Sequence, residues 1–351
     1  MLNKSKIIVA PLNWGWGHAA RCIPIIRELQ SAGFVPVIAC EGIALLFLKK
    51  EFPNVEVLEL FPYNIRYKKH FKLGMFMQIP SIIRAIYKEH RILESYINLY
   101  SDEVVGVVSD NRLGIYTQKV PSVYVTHQLN IQAGSLSFVI NKVHHYFINK
   151  HQECWIPDEK GSLFTGDLSK SRGINTKFIG ILSRFEKKKV NYKYDLLVLL
   201  SGIEEQRVVL EALLMEELKH FKGKVLLVRG SLKTTHANIP SHIKVVDYLL
   251  SDALEETINC SRLVIARSGY STIMDMIRLK KEAFYIPTPE QTEQEYLALH
   301  LKSKNLANSC TQKEFQLKRL NAKKNVYVAD TTVDKRLLSN HIKRVFKLVQ
   351  V

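Results

Sequence analysis

Short apolar runs alternate with amphipathic helical stretches along most of the chain, and this alternation occurs twice. In the first half, the candidate strands are 6–10, 35–39, 55–60, 104–109 and 122–126. Helical patterns lie between several of them, and the one over 19–30 ends near Gly33, as at a helix C-terminus. Short apolar strands separated by helices are typical of a parallel sheet with helices on both faces.

The same pattern restarts in the second half. Its candidate strands are 195–200, 224–228, 242–246, 263–266 and 283–286, and its helical stretches are 204–218, 253–259, 271–279 and 292–304. A polar, turn-rich run over 156–193 separates the halves. The sequence therefore predicts an α/β protein of two Rossmann-like domains facing across a cleft, 1–180 and 181–330. Residues 331–351 are predicted to form a terminal helix that packs back on the body.

The cysteines and the N-terminus bear on the compartment. The chain has 351 residues and five cysteines, an odd number without a CxxC pair, which indicates reduced thiols and neither a disulfide framework nor a zinc site. No apolar run is long enough to span a bilayer, and the first residues lack the pattern of a signal peptide. The protein is expected in the cytoplasm, either free or peripheral at the inner face of a membrane.

The net charge of +17 calls for a partner or a structural explanation. The stretch 63–91 carries seven Lys or Arg residues against one acid, Glu89, and it is also rich in apolar side chains. Basic residues beside an apolar cluster suit an anionic membrane surface, and the alternative is a buried helix pair with solvated lysines. No nucleic-acid module pattern is present, so no nucleic-acid partner is expected.

The first loop of interest is NWGWGHAAR at 13–21. Gly15 and Gly17 allow the backbone to approach a ligand, and a helix N-terminus favours negative charge. The loop is not the dinucleotide fingerprint, because Ala20 stands where the third glycine of GxGxxG would be. His18 follows the glycines, and histidine is suited to general-base chemistry near neutral pH. The alternative is a histidine that only bonds to backbone at the helix start.

Two loops in the second half carry groups suited to phosphate. In LLSGIEEQR at 199–207, Ser201 and Gly202 lie at a turn and Arg207 lies on the following helix. In IARSGYSTIMDM at 265–276, a strand ends and Ser271 or Thr272 is predicted to cap the next helix, whose N-terminus would bind an anion.

Two features of these later loops suit hydroxyl groups. Asp275, one turn into its helix, could accept from ribose hydroxyls or simply complement the helix dipole. In IPTPEQTEQEYLALHL at 286–301, acids and amides crowd a helix start, and such groups both donate to and accept from sugar hydroxyls. The alternative for the second feature is an ordinary acid-rich first turn of a surface helix.

Four motifs, taken in chain order, resemble those of glycosyltransferase family 28. They are GxGHxxR, SGxxxQR, RSGxST and PxxxxTEQ. The resemblance covers most of the chain and is strongest from about 179 to 301. It implies the GT-B fold and a nucleotide-sugar donor. The family includes an N-acetylglucosaminyltransferase that acts on a lipid-linked peptidoglycan precursor. Its first loop is richer in glycine, whereas this chain has Trp14 and Trp16 there.

The resemblance also implies roles for individual residues. His18 matches the histidine that closes the glycine-rich loop and is the implied catalytic base facing the acceptor. Asp275 stands where the family usually has Glu at the ribose. The positions that match or adjoin donor contacts are Gly17, Arg184, Ser201, Gly202, Leu249, Arg267, Ser268, Gly269, Ser271, Thr272, Asp275, Gln291, Gln294 and Glu295. Asp110, Asn111, Arg112 and His127 follow strand ends in the first half and are assigned to the acceptor side.

The implied activity is an inverting transfer of N-acetylglucosamine or a hexose from a UDP-sugar to a lipid-linked or glycan acceptor. No Asp-x-Asp motif is present, so no metal is expected, and the UDP-sugar is a substrate and not a cofactor. Two alternatives stay open: a nucleotide-sugar 2-epimerase of the same fold, and a non-catalytic nucleotide-sugar-binding protein.

Overall fold

The computed structural model describes residues 5–63, 71–132, 134–171, 173–231, 239–321 and 336–346. These residues form two compact units. Unit 1 contains 5–163, 167–182 and 336–346, and unit 2 contains 164–166 and 183–321. Each unit is built around its own parallel sheet.

Unit 1 contains a seven-stranded sheet in which all neighbouring strands are parallel. Its strands are β1 (Lys6–Pro11), β2 (Val35–Cys40), β3 (Glu56–Glu59), β4 (Val104–Asp110), β5 (Ser122–Val125), β6 (Glu153–Ile156) and β7 (Thr176–Phe178). Their order is β3-β2-β1-β4-β5-β6-β7. The chain therefore reverses its direction of winding between β1 and β4, which is where doubly wound sheets bind ligands.

Helices cover the sheet of unit 1. They include α1 (Trp16–Ser31), α2 (Gly42–Glu51), α3 (Phe71–Leu99) and α4 (Ser137–Ile148). Buried residues of α1 and α2 pack with one face of the sheet, and Leu93 and Ile97 of α3 pack in the cluster on the other face. All six residues of β1 are buried, as expected of a central strand covered on both faces.

Unit 2 repeats this topology with six strands, again all parallel. The strands are β8 (Tyr194–Leu199), β9 (Val225–Val228), β10 (Ile243–Val246), β11 (Ser261–Ala266), β12 (Ala283–Tyr285) and β13 (Asn308–Ser309), in the order β10-β9-β8-β11-β12-β13. The helices are α5 (Glu204–Leu218), α6 (Ser251–Asn259), α7 (Tyr270–Arg278) and α8 (Thr292–Ser303). The winding reverses between β8 and β11.

The last described helix, α9 (Arg336–Val345), belongs to unit 1 and not to the unit that precedes it in sequence. It packs against α1 and buries Leu338, Ile342 and Val345. The following Phe346 is also buried, beside Trp155 and Phe34. The C-terminal segment therefore completes the hydrophobic core of unit 1.

The predicted fold class, α/β with two Rossmann-like parallel sheets, is confirmed, with some differences in the elements. Helix α1 begins at Trp16, before the predicted residue 19, because Gly15 at its N-cap adopts φ 72° and Gly17 falls in the first turn. The polar run over 156–193 was predicted as a break, but it contains the edge strand β7. The short strands β6 and β13 were also missed.

Candidate functional site

In unit 1, His18 and Asp110 meet at the point where the winding reverses. His18 lies in the first turn of α1, directly after β1, and Asp110 is the last residue of the neighbouring strand β4. The Nδ1 atom of His18 lies 3.1 Å from Oδ1 of Asp110. A carboxylate can only accept, so Nδ1 donates to Asp110 in the tautomer that carries the imidazole proton on Nδ1, and the lone pair of Nε2 is then left for another proton. The pair is thus arranged as an oriented base.

Arg21, one helical turn after His18, holds this carboxylate. Its Nε donates to Oδ2 of Asp110 at 2.8 Å, and its Nη2 donates to Oδ1. The same Nη2 lies 2.9 Å from Nδ1 of His18, to which it can donate only in the other tautomer, so Asp110 and Arg21 compete for this nitrogen. Burial alone would raise the pKa of Asp110, but the Arg21 guanidinium and His18 hold it well below its usual range. Asp110 therefore stays ionised at physiological pH although it is fully buried.

His127 joins this cluster from the loop after β5. Nη1 of Arg21 donates to its Nδ1 at 2.7 Å, so the proton of a neutral His127 lies on Nε2. When His18 donates from Nδ1 to Asp110, the two histidines have opposite tautomers: Nε2 of His18 can accept a proton, while Nε2 of His127 can donate a hydrogen bond. Such a combination can deprotonate one hydroxyl and hold another.

The two residues after Asp110, Asn111 and Arg112, differ in their hydrogen bonding. Asn111 adopts φ 57°, and its buried Oδ1 accepts no hydrogen bond from the described residues. Arg112 was assigned to the acceptor side, but it is fully buried and bonds to the carboxylates of Glu41 and Glu89 and to the carbonyl of Pro11. Together with the carbonyl of Phe61, four acceptors surround its guanidinium, which therefore holds α3 against the ends of β1 and β2.

In unit 2, the turn after β11 leads into α7. Gly269 is the N-cap residue, and no side chain caps the helix. The expectation that Ser271 or Thr272 caps it was wrong, since both residues lie within the first turn, after Tyr270. The prediction of an anion site at this helix start does not depend on the cap, because the dipole and the backbone N–H groups of a first turn provide it.

Asp275 lies in the second turn of α7 beside the segment that precedes β8. The hydroxyl of Ser183 donates to its Oδ1 at 2.5 Å. Burial raises the pKa of Asp275 to about 6, although the charge of Arg184 and the Ser183 hydrogen bond both act to lower it. Arg184 also lies over the ring of Phe185, at 4.7 Å. Asp275 and Arg184, both predicted to contact the donor, are therefore close enough to interact electrostatically.

Arg267 was predicted to bind the donor, but its surroundings favour a positioning role. It is 1% exposed, and its guanidinium donates to the carbonyls of Ile286, Pro287 and Gln206 and to Oε1 of Gln312. These four acceptors lie in three segments: the loop after β12, the first turn of α5 and the short turn after β13. Arg267 thus holds together the loops in which donor contacts are predicted.

The predicted sugar-binding amides are bonded within their own loop. Oε1 of Gln294 accepts from the backbone N–H of Thr288 at 2.9 Å, and its Nε2 donates to Oε1 of Gln291 at 2.5 Å. The hydroxyl of Ser268 donates to the carbonyl of Gln294 at 2.8 Å. Oε1 of Glu295 accepts from the backbone of Glu290. These bonds shape the start of α8, and donor contacts by these residues remain a prediction.

The remaining predicted residues lie at the expected strand ends. Ser201 and Gly202 form the exposed turn after β8, and Gly202 adopts φ 99°, which favours glycine. Leu249 is half-buried in the segment after β10. Arg207, considered as a phosphate ligand, is buried and donates to the carbonyl of Gly230 at 3.0 Å instead.

Sequence reasoning missed the partners that position these groups. Arg21 was visible only as the last residue of the GxGHxxR pattern, and its spacing of three from His18 was the available signal. Ser183, which bonds to Asp275, carried no signal, because the two residues are 92 positions apart.

Comparisons with known proteins bear on the fold and on the C-terminal half of the chain. Residues 202–337 match the model of the glycosyltransferase family 28 C-terminal domain. A search of curated proteins finds no match.

Solved structures match over nearly the whole chain. The glycosyltransferase of kitacinnamycin superposes with a TM-score of 0.70 at 14% identity and covers 99% of this chain and 100% of its own. The calicheamicin glycosyltransferase CalG4 superposes with a TM-score of 0.65 at 12% identity, and the match covers 97% of this chain and 95% of CalG4. MurG of Acinetobacter baumannii superposes with a TM-score of 0.54 at 13% identity, and the match covers 96% of this chain and 93% of MurG.

Fold and domain match together define the class: the chain is a glycosyltransferase of the GT-B type. Within that class, the match to glycosyltransferase family 28 covers its C-terminal domain, at residues 202–337 of this chain. As a glycosyltransferase, it uses a sugar donor and an acceptor.

Proposed function

We propose that the protein catalyses an inverting transfer of a sugar, N-acetylglucosamine or a hexose, from a UDP-sugar to a hydroxyl of a lipid-linked or glycan acceptor. The observation that carries the proposal is the pairing of His18 with the buried, ionised Asp110 at the switch point of unit 1. A histidine held by a carboxylate in one tautomer is a general base oriented for an incoming hydroxyl.

In this mechanism, Nε2 of His18 takes the proton of the acceptor hydroxyl. The hydroxyl oxygen forms a bond to the anomeric carbon while the bond from that carbon to the nucleoside diphosphate breaks. Asp110 stabilises the imidazolium that results, as an ionised carboxylate does. The first turn of α7 is assigned to the leaving diphosphate, because a helix N-terminus stabilises negative charge without a metal ion.

The donor is identified first. Thermal-shift measurements against uridine, guanosine and thymidine diphosphate sugars should single out the donor, since a ligand at a hundred times its Kd adds about 2.7 kcal/mol of stability. Turnover is then measured with lipid-linked, glycan and small-molecule hydroxyl acceptors. Product of inverted anomeric configuration, formed in the presence of EDTA, supports the proposal. Formation of an epimerised nucleotide sugar without any acceptor would support the epimerase instead.

His18→Ala should lower turnover by about 10² to 10⁴ and leave donor affinity near that of the wild type. The matched control is His220→Ala, which removes an exposed histidine outside the site. Asp110→Asn should also lower turnover. Because His18 and Asp110 act as a unit, the double variant should be no slower than His18→Ala alone. A double variant slowed by the product of the two single effects would contradict the pairing.

A peripheral membrane position is a further part of the proposal. No helix among the residues described is both long and apolar enough to cross a bilayer. Helix α3 exposes Ile79, Ile83 and Tyr87 along one side, at 40%, 61% and 61%. Arg84, Lys88 and Arg91 stand among them on the same helix. An apolar stripe bordered by cations suits an anionic lipid surface.

Residues 64–70 of the predicted membrane segment 63–91 lie outside the described residues. The side chains of Phe71, Leu73, Met75, Phe76 and Met77 lie outside those that the structure describes.

A further inference from the structure

A cavity lined by lysines lies in unit 2, at the opposite edge of the sheet from the predicted donor loops. Its volume is about 550 Å³. Its lining contains five lysines and no carboxylate; the side chains that matter most are Lys187, Lys188, Lys189, Lys280, Lys281 and Tyr192. Five like charges around one cavity repel each other unless an anion or counterions compensate them.

The sheet topology separates this cavity from the predicted phosphate turn. The segment 187–192 precedes β8, Asn259 precedes β11, and Lys280 and Lys281 precede β12. Because all strands of this sheet are parallel, these amino-terminal ends share one edge, whereas Ser201 and Ser268 follow carboxyl ends. Helix α7 runs between the two edges, and nine residues of helix span about 13 Å.

The carboxylates beside the cavity act mainly on one lysine, Lys188, which interacts with Glu255, Asp252 and Glu256. Lys188 pairs with Glu255. Lys187 and Lys189 are exposed and form no ion pair with any residue that the structure describes. The lining therefore has a surplus of positive charge in a concave surface, which focuses the field toward a bound anion.

Lys281 is the buried member of the group. It is 8% exposed, and its Nζ donates to the carbonyls of Ser261 at 2.6 Å and Asn259 at 3.2 Å. The ring of Tyr192 lies 5.0 Å from this Nζ. Burial, together with the charge of Lys187, lowers the pKa of Lys281 to about 8. An ammonium held in this way is oriented before a ligand arrives, and its third N–H can donate to one.

We propose that this cavity binds a soluble anion that bears phosphate groups, at a site distinct from the donor site. Lysine ammonium groups bind phosphate as point charges, and the volume lies within the range of small-molecule sites. The proposal does not depend on the transferase reaction, because none of the lining residues is assigned to donor, acceptor or catalysis.

The test uses the full chain and inorganic pyrophosphate. Its binding is measured by titration calorimetry at low salt, and the lysines it covers are read by acetylation footprinting with mass spectrometry. Pyrophosphate should protect Lys187, Lys189 and Lys280 from acetylation. The variant Lys187→Gln/Lys189→Gln should bind it at least about tenfold more weakly at this site, because it removes two of the positive charges that attract the anion.

The matched control is Lys313→Gln/Lys318→Gln, which removes two exposed lysines of the same unit that do not line the cavity. It should leave the protection at 187–189 unchanged. An equal loss of pyrophosphate affinity in the two double variants would overturn the proposal, because the effect would then reflect the overall charge of the protein. Absence of protection at Lys187 and Lys189 would also overturn it. So would binding of phosphatidic acid vesicles that depends on these lysines while pyrophosphate protects none of them, because the source of phosphate would then be a lipid.

Discussion

Replacing Asp275 by asparagine should stabilise unit 2 at neutral pH and weaken nucleotide binding. Burial raises the pKa of this carboxyl from 3.8 to about 6. Above pH 6 the folded protein must hold a charge that its surroundings disfavour, and below pH 3.8 the cost disappears because the group is protonated in both states. Stability should therefore fall as pH rises through this window.

The shift sets the size of the effect. A difference of about two pH units in pKa corresponds to roughly 3 kcal/mol at pH 8. Asp275 is only partly shielded from solvent, so we expect about 1–3 kcal/mol. The asparagine retains an oxygen that can accept from Ser183 but carries no charge. Its unfolding midpoint in urea should exceed that of the wild type at pH 8, and the gain should shrink toward pH 4.

Nucleotide affinity provides the functional half of the test. If the ionised carboxylate accepts from ribose hydroxyls, wild-type affinity for the nucleoside diphosphate should fall as pH drops below 6, because protonation removes the acceptor charge. The Asp275→Asn variant should bind about ten- to a hundredfold more weakly at pH 8 and show no such pH dependence.

The control is Asp252→Asn, which removes an exposed carboxylate from α6 in the same unit. It should change neither affinity nor the pH dependence of stability. If Asp275→Asn destabilised the protein equally at pH 4 and pH 8, the carboxylate would not be held at an energetic cost. If its nucleotide affinity matched that of the wild type, the ribose assignment would be wrong.

Two further predictions concern unit 1. Gly106→Ala should destabilise the protein by about 1–3 kcal/mol, because the new Cβ would clash with the ring of Phe346. Urea unfolding should show a smaller cost of Gly106→Ala in a Phe346→Ala background. An unchanged cost would contradict the packing of the C-terminal segment on β4. Ile83→Ser/Tyr87→Ser should reduce sedimentation with anionic vesicles, whereas Leu299→Ser, at an equally exposed position on α8, should not; equal binding by all three proteins would exclude α3 as the membrane contact.

Most elements of both sheets were predictable because burial imposes an apolar pattern on residues that are close in sequence. A strand such as β1, covered on both faces, must be apolar throughout, and a helix such as α5 keeps its apolar residues at helical spacing. Strand β6 was missed although its four residues are buried, whereas the other two missed strands are too short to show such a pattern. Strand β13 has only two residues and β7 only three. Each is a strand because it pairs with a neighbouring strand, and its own composition does not predict it.

The candidate site was predictable only as a set of loops. Residues such as His18, Asp110 and Ser268 were found because each follows an apolar run. The directions in which polar side chains at these strand ends point were not predictable. Gln294 and Arg267 turn inward to backbone and side-chain acceptors that become available only when several strand ends come together. A polar side chain near a strand end therefore shows the edge of the sheet at which it lies, but not whether it faces a ligand.

The sequence by itself determined that this protein consists of two parallel α/β units with glycine-rich and hydroxyl-rich loops at strand ends, because periodicity and turn residues act over a few positions. Only the tertiary structure decided which loops meet. His18 and Asp110 are 92 positions apart and become neighbours because β1 pairs with β4 and not with β3. Strand order depends on how whole helices pack on the sheet, and no local pattern in the chain records it.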